Sequence, residues 1–215
     1  MEKIKKLRKI FKKNNLDGYI VPKNDEFFGE YVPQNKDRLK YISNFSGSFG
    51  IALILKNKNF LFVDGRYTTQ AHLESGKLFI IKTIPNFLPK TVLGNDRLRI
   101  GFDSKIIIKK FLKNFFYTNK CELVNVNENL IDKIWKRKNN NKIYKFYFLP
   151  KKFISQSYQK KVREVVVNII KKKADYQFIT SSENIAWLMN IRGMDSDYSP
   201  ITNSYVLINR NNQIK

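Results

Sequence analysis

The sequence predicts an α/β fold, a mixed sheet flanked by helices, followed by an incomplete second copy of the same pattern. Three observations carry that expectation. Short apolar runs alternate with amphipathic helical stretches over residues 1–135, the pattern of strands layered with helices. The polar tetrapeptide Lys56-Asn57-Lys58-Asn59 joins two apolar runs directly, so at least one neighbouring pair is antiparallel. After a charged and aromatic connector at 136–153, the order helix, strand, loop, helix, strand begins again.

The first helix, 2–14, places Ile4, Leu7, Ile10 and Phe11 on one face. The strand Gly18–Val21 follows and stops at Pro22. A polar, acidic loop leads to a short helix at 37–42, and the small residues of FSGSFG (45–50) turn the chain into a strand at 51–55. The hairpin partner runs from Phe60 to Val63. A helix over 65–75 ends at Gly76, a candidate left-handed C-terminal glycine. Strands at 78–82 and 98–102 flank a Pro-bounded loop. The helix 105–117 spaces Ile108, Phe111, Leu112, Phe115 and Phe116 for docking on a sheet. Strand 121–126 and a short helix, 128–135, complete the first domain, 1–135.

Residues 136–154 read as a linker, Lys/Asn-rich and then aromatic, the aromatic part packing across a domain boundary. The second domain, 155–215, has a helix at 156–173 with Tyr158, Val162, Val165, Val166, Ile169 and Ile170 on one face. A strand at 176–179, a capped helix at 181–190 and a strand from 204 to 208 follow. NFSG (44–47) and NIRG (190–193) occupy matching places in the two copies. The second copy has about 60 residues, fewer than the first, and its sheet is expected to end on an exposed edge strand near 204–208.

Composition narrows the function classes. Hydrophobic content of 42% and aromatic content of 14% support a packed core rather than disorder. The net charge of +23 suits an acidic partner such as nucleic acid. However, the joint abundance of Lys, Asn, Ile, Phe and Tyr, all AT-rich codons, and the dispersal of the lysines point to base bias instead. Cys121 is the only cysteine, which excludes an internal disulfide, and its apolar neighbours predict a buried, inert thiol. No apolar run reaches the roughly 18 residues of a membrane span, and the basic amino terminus lacks an apolar signal core. A cytoplasmic protein is the default expectation.

Few motifs carry chemistry. His72 is the only histidine, and a two-metal site needs several converging carboxylates and imidazoles. No HExxH, phosphate-binding loop or nucleophile triad is present. NDEFFGEY (24–31) could supply an acid or base, against the plainer reading that Glu30 or Asp37 pairs with Arg38. VDGRY (63–67) places the cation Arg66 where a strand hands over to a helix, an end already positive from unpaired N–H groups. Either Asp64 caps the helix, Gly65 permits the turn, an acid compensates Arg66 and Tyr67 packs, or the strand end presents Arg66 into a ligand crevice. From the residues alone both readings stand.

Five blocks, DGYIVP (17–22), EYVPQNKDRLKYISNFSGSFG (30–50), FVDGRYTTQA (62–71), VNENLIDKIW (126–135) and ENIAWLMNIRG (183–193), occur in order. Together they resemble the amino-terminal part of the Xaa-Pro aminopeptidases (aminopeptidase P) in their three-domain form. These are creatinase/prolidase-type metallopeptidases, and the resemblance covers essentially the whole chain. YTTQAH (67–72) is more polar than the usual continuation.

The resemblance implies two creatinase-like amino-terminal domains before a catalytic pita-bread domain that removes the residue preceding proline. Two manganese ions are implied in that catalytic domain, with none of their ligands in this chain. It also implies Arg66 as a substrate-contacting residue. The chain is then expected to lack the catalytic domain, to be inactive alone, and to shape a substrate cleft and an oligomer interface. Its partners would be an Xaa-Pro peptide, and a second copy or a separately encoded metal domain. A split gene, a decayed gene or a partial sequence would each give such a chain. The alternatives are a complementing subunit and a basic nucleic-acid-binding module.

Overall fold

The computed structural model describes residues 1–137 and 144–215; most of the Lys/Asn-rich part of the expected linker lies outside the described residues. Of the described residues, 1–26 and 34–137 form one compact unit, and 27–33 with 144–215 a second.

The first unit runs α1 (Glu2–Lys13), β1 (Gly18–Pro22), α2 (Arg38–Ser43), β2 (Ile51–Leu55), β3 (Asn59–Asp64), α3 (Thr68–Ser75), β4 (Ile80–Ile84), α4 (Pro89–Leu93), β5 (Arg99–Phe102), α5 (Lys109–Phe116), β6 (Glu122–Asn125) and α6 (Leu130–Ile134). Its six strands lie in the order β4-β3-β2-β1-β5-β6. β2 is antiparallel to both β1 and β3, and the other pairs are parallel. The mixed sheet therefore follows from the tight 55–59 turn, and the carboxyl ends of β1, β3, β4, β5 and β6 share one edge.

Both faces of the sheet are covered, and side chains alternate between them. Tyr19, Val21, Ala52, Ile54, Leu61 and Val63 join Ile4, Leu7 and Phe11 of α1 and Leu130 and Ile131 of α6. Ile20, Ile51, Leu53, Phe60 and Phe62 join Leu93 of α4 and Leu112 and Phe116 of α5. Burial on both sides explains why the central strands read as continuous apolar runs. Cys121 is buried just before β6, and burial first, then the Asp17 and Glu122 charges, pushes its thiol up to about 11.

Several boundaries differ from expectation, for local reasons. The helix expected at 105–117 begins at Lys109. Asp103 accepts the Lys105 N–H through its side chain and the Ile106 N–H through its carbonyl, so a turn buries Ile106 and Ile107 and leaves Ile108 exposed. The strand expected at 78–82 lies at 80–84, because the N–H groups of Leu78 and Phe79 donate to Ser75 at the end of α3. Gly76 is right-handed rather than left-handed and continues the helical bonding to His72. The Pro-bounded loop holds α4, with Pro89 in its first turn, where a missing N–H costs nothing.

The second unit contains β7 (Tyr147–Phe148), α7 (Tyr158–Lys171), β8 (Tyr176–Ile179), α8 (Ser182–Met189), β9 (Ile191–Arg192) and β10 (Val206–Asn209). β8 pairs antiparallel with β10, and β7 with β9. Val162 and Ile169 of α7 pack with Ile185, Leu188, Val206 and Ile208, whereas Ile170 is exposed. The expected exposed edge at 204–208 is instead covered. Leu207 exchanges backbone hydrogen bonds with Lys215, and Ile208 bridges Ile214. In the β8/β10 sheet the outer edge of β8 has no further strand among the described residues.

The repeat read in the sequence has a backbone counterpart. α1 is followed by left-handed Asn15 and α7 by left-handed Lys173, while α2 and α8 end on left-handed Asn44 and Asn190. Asn tolerates that conformation better than most residues because its short side chain bonds locally.

Candidate functional site

The carboxyl edge of the large sheet carries two polar groups. At the β1/β5 switch point, where open α/β sheets hold ligands, Arg38 is at the centre. Its side chain is 4% exposed. The guanidinium donates to Asp132 Oδ1 and Oδ2 at 2.9 Å each and to Glu26 at 2.7 Å. Lys36 also reaches Glu26, Arg137 pairs with Asp132, and Lys23 donates to Asp37 at 2.5 Å while Asp37 caps α2. Below them Asn129 donates to Asp103 at 2.9 Å, and the Tyr19 hydroxyl accepts the Leu130 N–H.

A cleft of about 420 Å³ opens on this network, lined by Glu26, Arg38, Asp103, Lys105, Asn129, Asp132 and Lys133 among others. Burial works against ionisation of Glu26, but its own backbone bond, the Arg38 charge and hydrogen bonds from Lys36 and Arg38 outweigh it and hold the carboxyl at about 2. Burial likewise opposes the charge on Arg38, and the Asp132 and Glu26 bonds raise its pKa overall. Glu26 is thus held ionised near neutral pH by the cations around it. The local pairing of Arg38 with Glu30 or Asp37 is corrected: its partners are Glu26 and Asp132, the latter 94 residues away. No sequence signal marks a contact of that separation.

The second group surrounds Arg66. β3 ends at Asp64, held in extended geometry, and its carboxylate accepts the Arg66 N–H at 2.9 Å, opening a 3₁₀ turn over Gly65–Tyr67. The same carboxylate takes the guanidinium, with Nη2 at 2.7 Å and Nε at 3.2 and 3.3 Å. Hydrogen bonding first, then charge, lowers the pKa of Asp64 and raises that of Arg66. The acid that compensates the cation is therefore Asp64, as the plainer reading had it, yet the Arg66 side chain is 73% exposed. Gly65 is not required by the turn: it is not left-handed, and a Cβ there would meet nothing within 4 Å.

Tyr67 packs edge-on against buried Phe45 and shares a 2.7 Å hydrogen bond with Ser48. Glu74 accepts from the Ser46 N–H and hydroxyl and from Gln70. FSGSFG is thereby tied to α3. Its Gly47 is demanded by contact, since a Cβ would lie 2.3 Å from Phe45 Cζ.

Among the described residues no group of three His, Cys, Asp or Glu could hold a metal, and His72 is exposed on α3. Among the same residues no helix is long and apolar enough to cross a membrane.

Family models described as the creatinase/prolidase N-terminal domain match residues 3–134 and 136–215. "Probable Xaa-Pro aminopeptidase P" of Coprinopsis cinerea is 35% identical over 214 residues, covering 94% of this chain and 34% of the relative. "Xaa-Pro aminopeptidase 1" of Dictyostelium discoideum is 32% identical, over 96% of this chain and 36% of its own length. In three dimensions the chain is similar to the X-prolyl aminopeptidase of Caenorhabditis elegans, described as a cytosolic enzyme with a di-nuclear active site. The TM-score is 0.86 at 26% identity, over 99% of this chain and 38% of that one. The chain spans about a third of the length of the curated relatives it matches.

Proposed function

Since the chain belongs to the creatinase/prolidase N-terminal domain family, we propose that it is the non-catalytic amino-terminal portion of a Xaa-Pro aminopeptidase. In this reading it shapes the substrate cleft and an oligomer interface, and Arg66 contacts the peptide. One observation carries the reading: an exposed guanidinium is held at a strand's carboxyl end, on a scaffold related to Xaa-Pro aminopeptidases over nearly its whole length. The two metal ions, manganese in this reading, would be held by a catalytic domain, either further along the polypeptide or in a separate chain. Its site is cytoplasmic, as for the cytosolic C. elegans relative.

The chain is purified and incubated with manganese and an Xaa-Pro peptide, alone and with a metal-binding domain from the same genome. No release of the first residue is expected alone, and release is expected in the mixture. Arg66→Ala should then weaken substrate use with little effect on folding. Metal-dependent release by the chain alone, or full activity of the mixture with Arg66→Ala, would overturn the proposal.

A further inference from the structure

We infer that Asp64 is the positioning residue for Arg66, holding the guanidinium side-on so that only its outer edge faces a ligand, and that this edge takes a peptide carbonyl oxygen. The inference rests on the proposed role of Arg66 as a substrate contact. An arginine carries five N–H donors in a planar fork. The side-chain hydrogen bonds to Asp64 engage Nε and one N–H of Nη2. Both N–H groups of Nη1 and the other of Nη2 point away from that edge. The Arg66 Cζ lies over the Tyr67 ring, 5.1 Å from its centroid, and that ring is itself anchored by Ser48 and Phe45. Asp64 is in turn fixed, because it closes β3 in register with Ile84 of β4.

The position of the acid sets the ligand class. A carboxylate beside the guanidinium offsets its charge, which weakens the pull on a distant anion and leaves short-range donation intact. A neutral carbonyl oxygen needs only that donation. The built turn therefore suits the backbone of a peptide rather than a charged terminus.

The Nε–H signal of Arg66, identified by its loss in Arg66→Lys and expected to exchange slowly, is followed by nitrogen-15 NMR in the full chain and in Asp64→Asn. Asparagine keeps an oxygen for the Arg66 backbone N–H, so the turn should persist, and the dispersion of the amide spectrum checks that it does. The Nε–H should exchange about tenfold faster in Asp64→Asn; an unchanged rate in a folded variant overturns the positioning role. An amide-capped Xaa-Pro peptide is then titrated onto the parent chain. A shift of the Arg66 signal, larger than with the same peptide bearing a free carboxylate, supports the carbonyl assignment. The reverse order overturns that assignment. A slow signal that neither peptide moves overturns the substrate contact and leaves the positioning by Asp64 standing.

Discussion

Arg38→Met tests the network at the β1/β5 switch. Methionine fills much of the same space but removes three charge-assisted hydrogen bonds, to Asp132 Oδ1, Asp132 Oδ2 and Glu26. Breaking a buried ion pair costs about 3–5 kcal/mol, because the surviving partner is left uncompensated. The two carboxylates are 28% and 30% exposed, and Lys36 and Arg137 remain beside them. The loss should therefore fall at the low end, about 3 kcal/mol. With a urea slope of about 2 kcal/mol per molar, the midpoint drops by about 1.5 M. Trp135, stacked on Tyr41 at 4.7 Å, reports this unit by fluorescence once Trp187 is replaced by Phe. Adding Glu26→Gln and Asp132→Asn to Arg38→Met should recover part of the loss, because the carboxylates that Arg38 leaves uncompensated are then neutral, while Lys36 and Arg137 lose their partners. A midpoint within about 0.3 M of the parent, or no recovery in the triple variant, would refute the reasoning.

Acid should destabilise the first unit through the same network. Glu26 is held at about 2 against 4.5 for an ordinary glutamate, so its contribution is complete above pH 4.5 and is lost as pH falls from there toward 2. That contribution is roughly 3 kcal/mol at face value and about 1–2 kcal/mol after allowance for solvent at a half-buried group. Urea midpoints measured across that window should lose this acid dependence in Glu26→Gln. Gly47→Ala drives a methyl into the buried Phe45 ring and should cost about 1–3 kcal/mol in chemical denaturation. Gly65→Ala, by contrast, meets open space and should leave the thermal midpoint unchanged or slightly raised.

The sequence by itself determined what is written within a few residues. The apolar spacing of α1, the hairpin between β2 and β3, the Asp64 cap and the paired NFSG and NIRG segments were all legible, because periodicity, turn chemistry and capping act over one to four positions. Element ends misled where a residue's partner lay just outside the pattern, as when Ser75 drew the N–H groups of Leu78 and Phe79 away from β4. Arg66 was visible as an anomaly and a local acid such as Asp64 as one answer to it, but the side-on geometry of the pair and the edge it leaves open were not. Nor was the triad of Arg38, Glu26 and Asp132, whose members stand 12 and 94 positions from the arginine. Only the tertiary structure decided these, because the parallel strands deliver distant loops to one edge of the sheet, and there a buried guanidinium must find whichever carboxylates arrive.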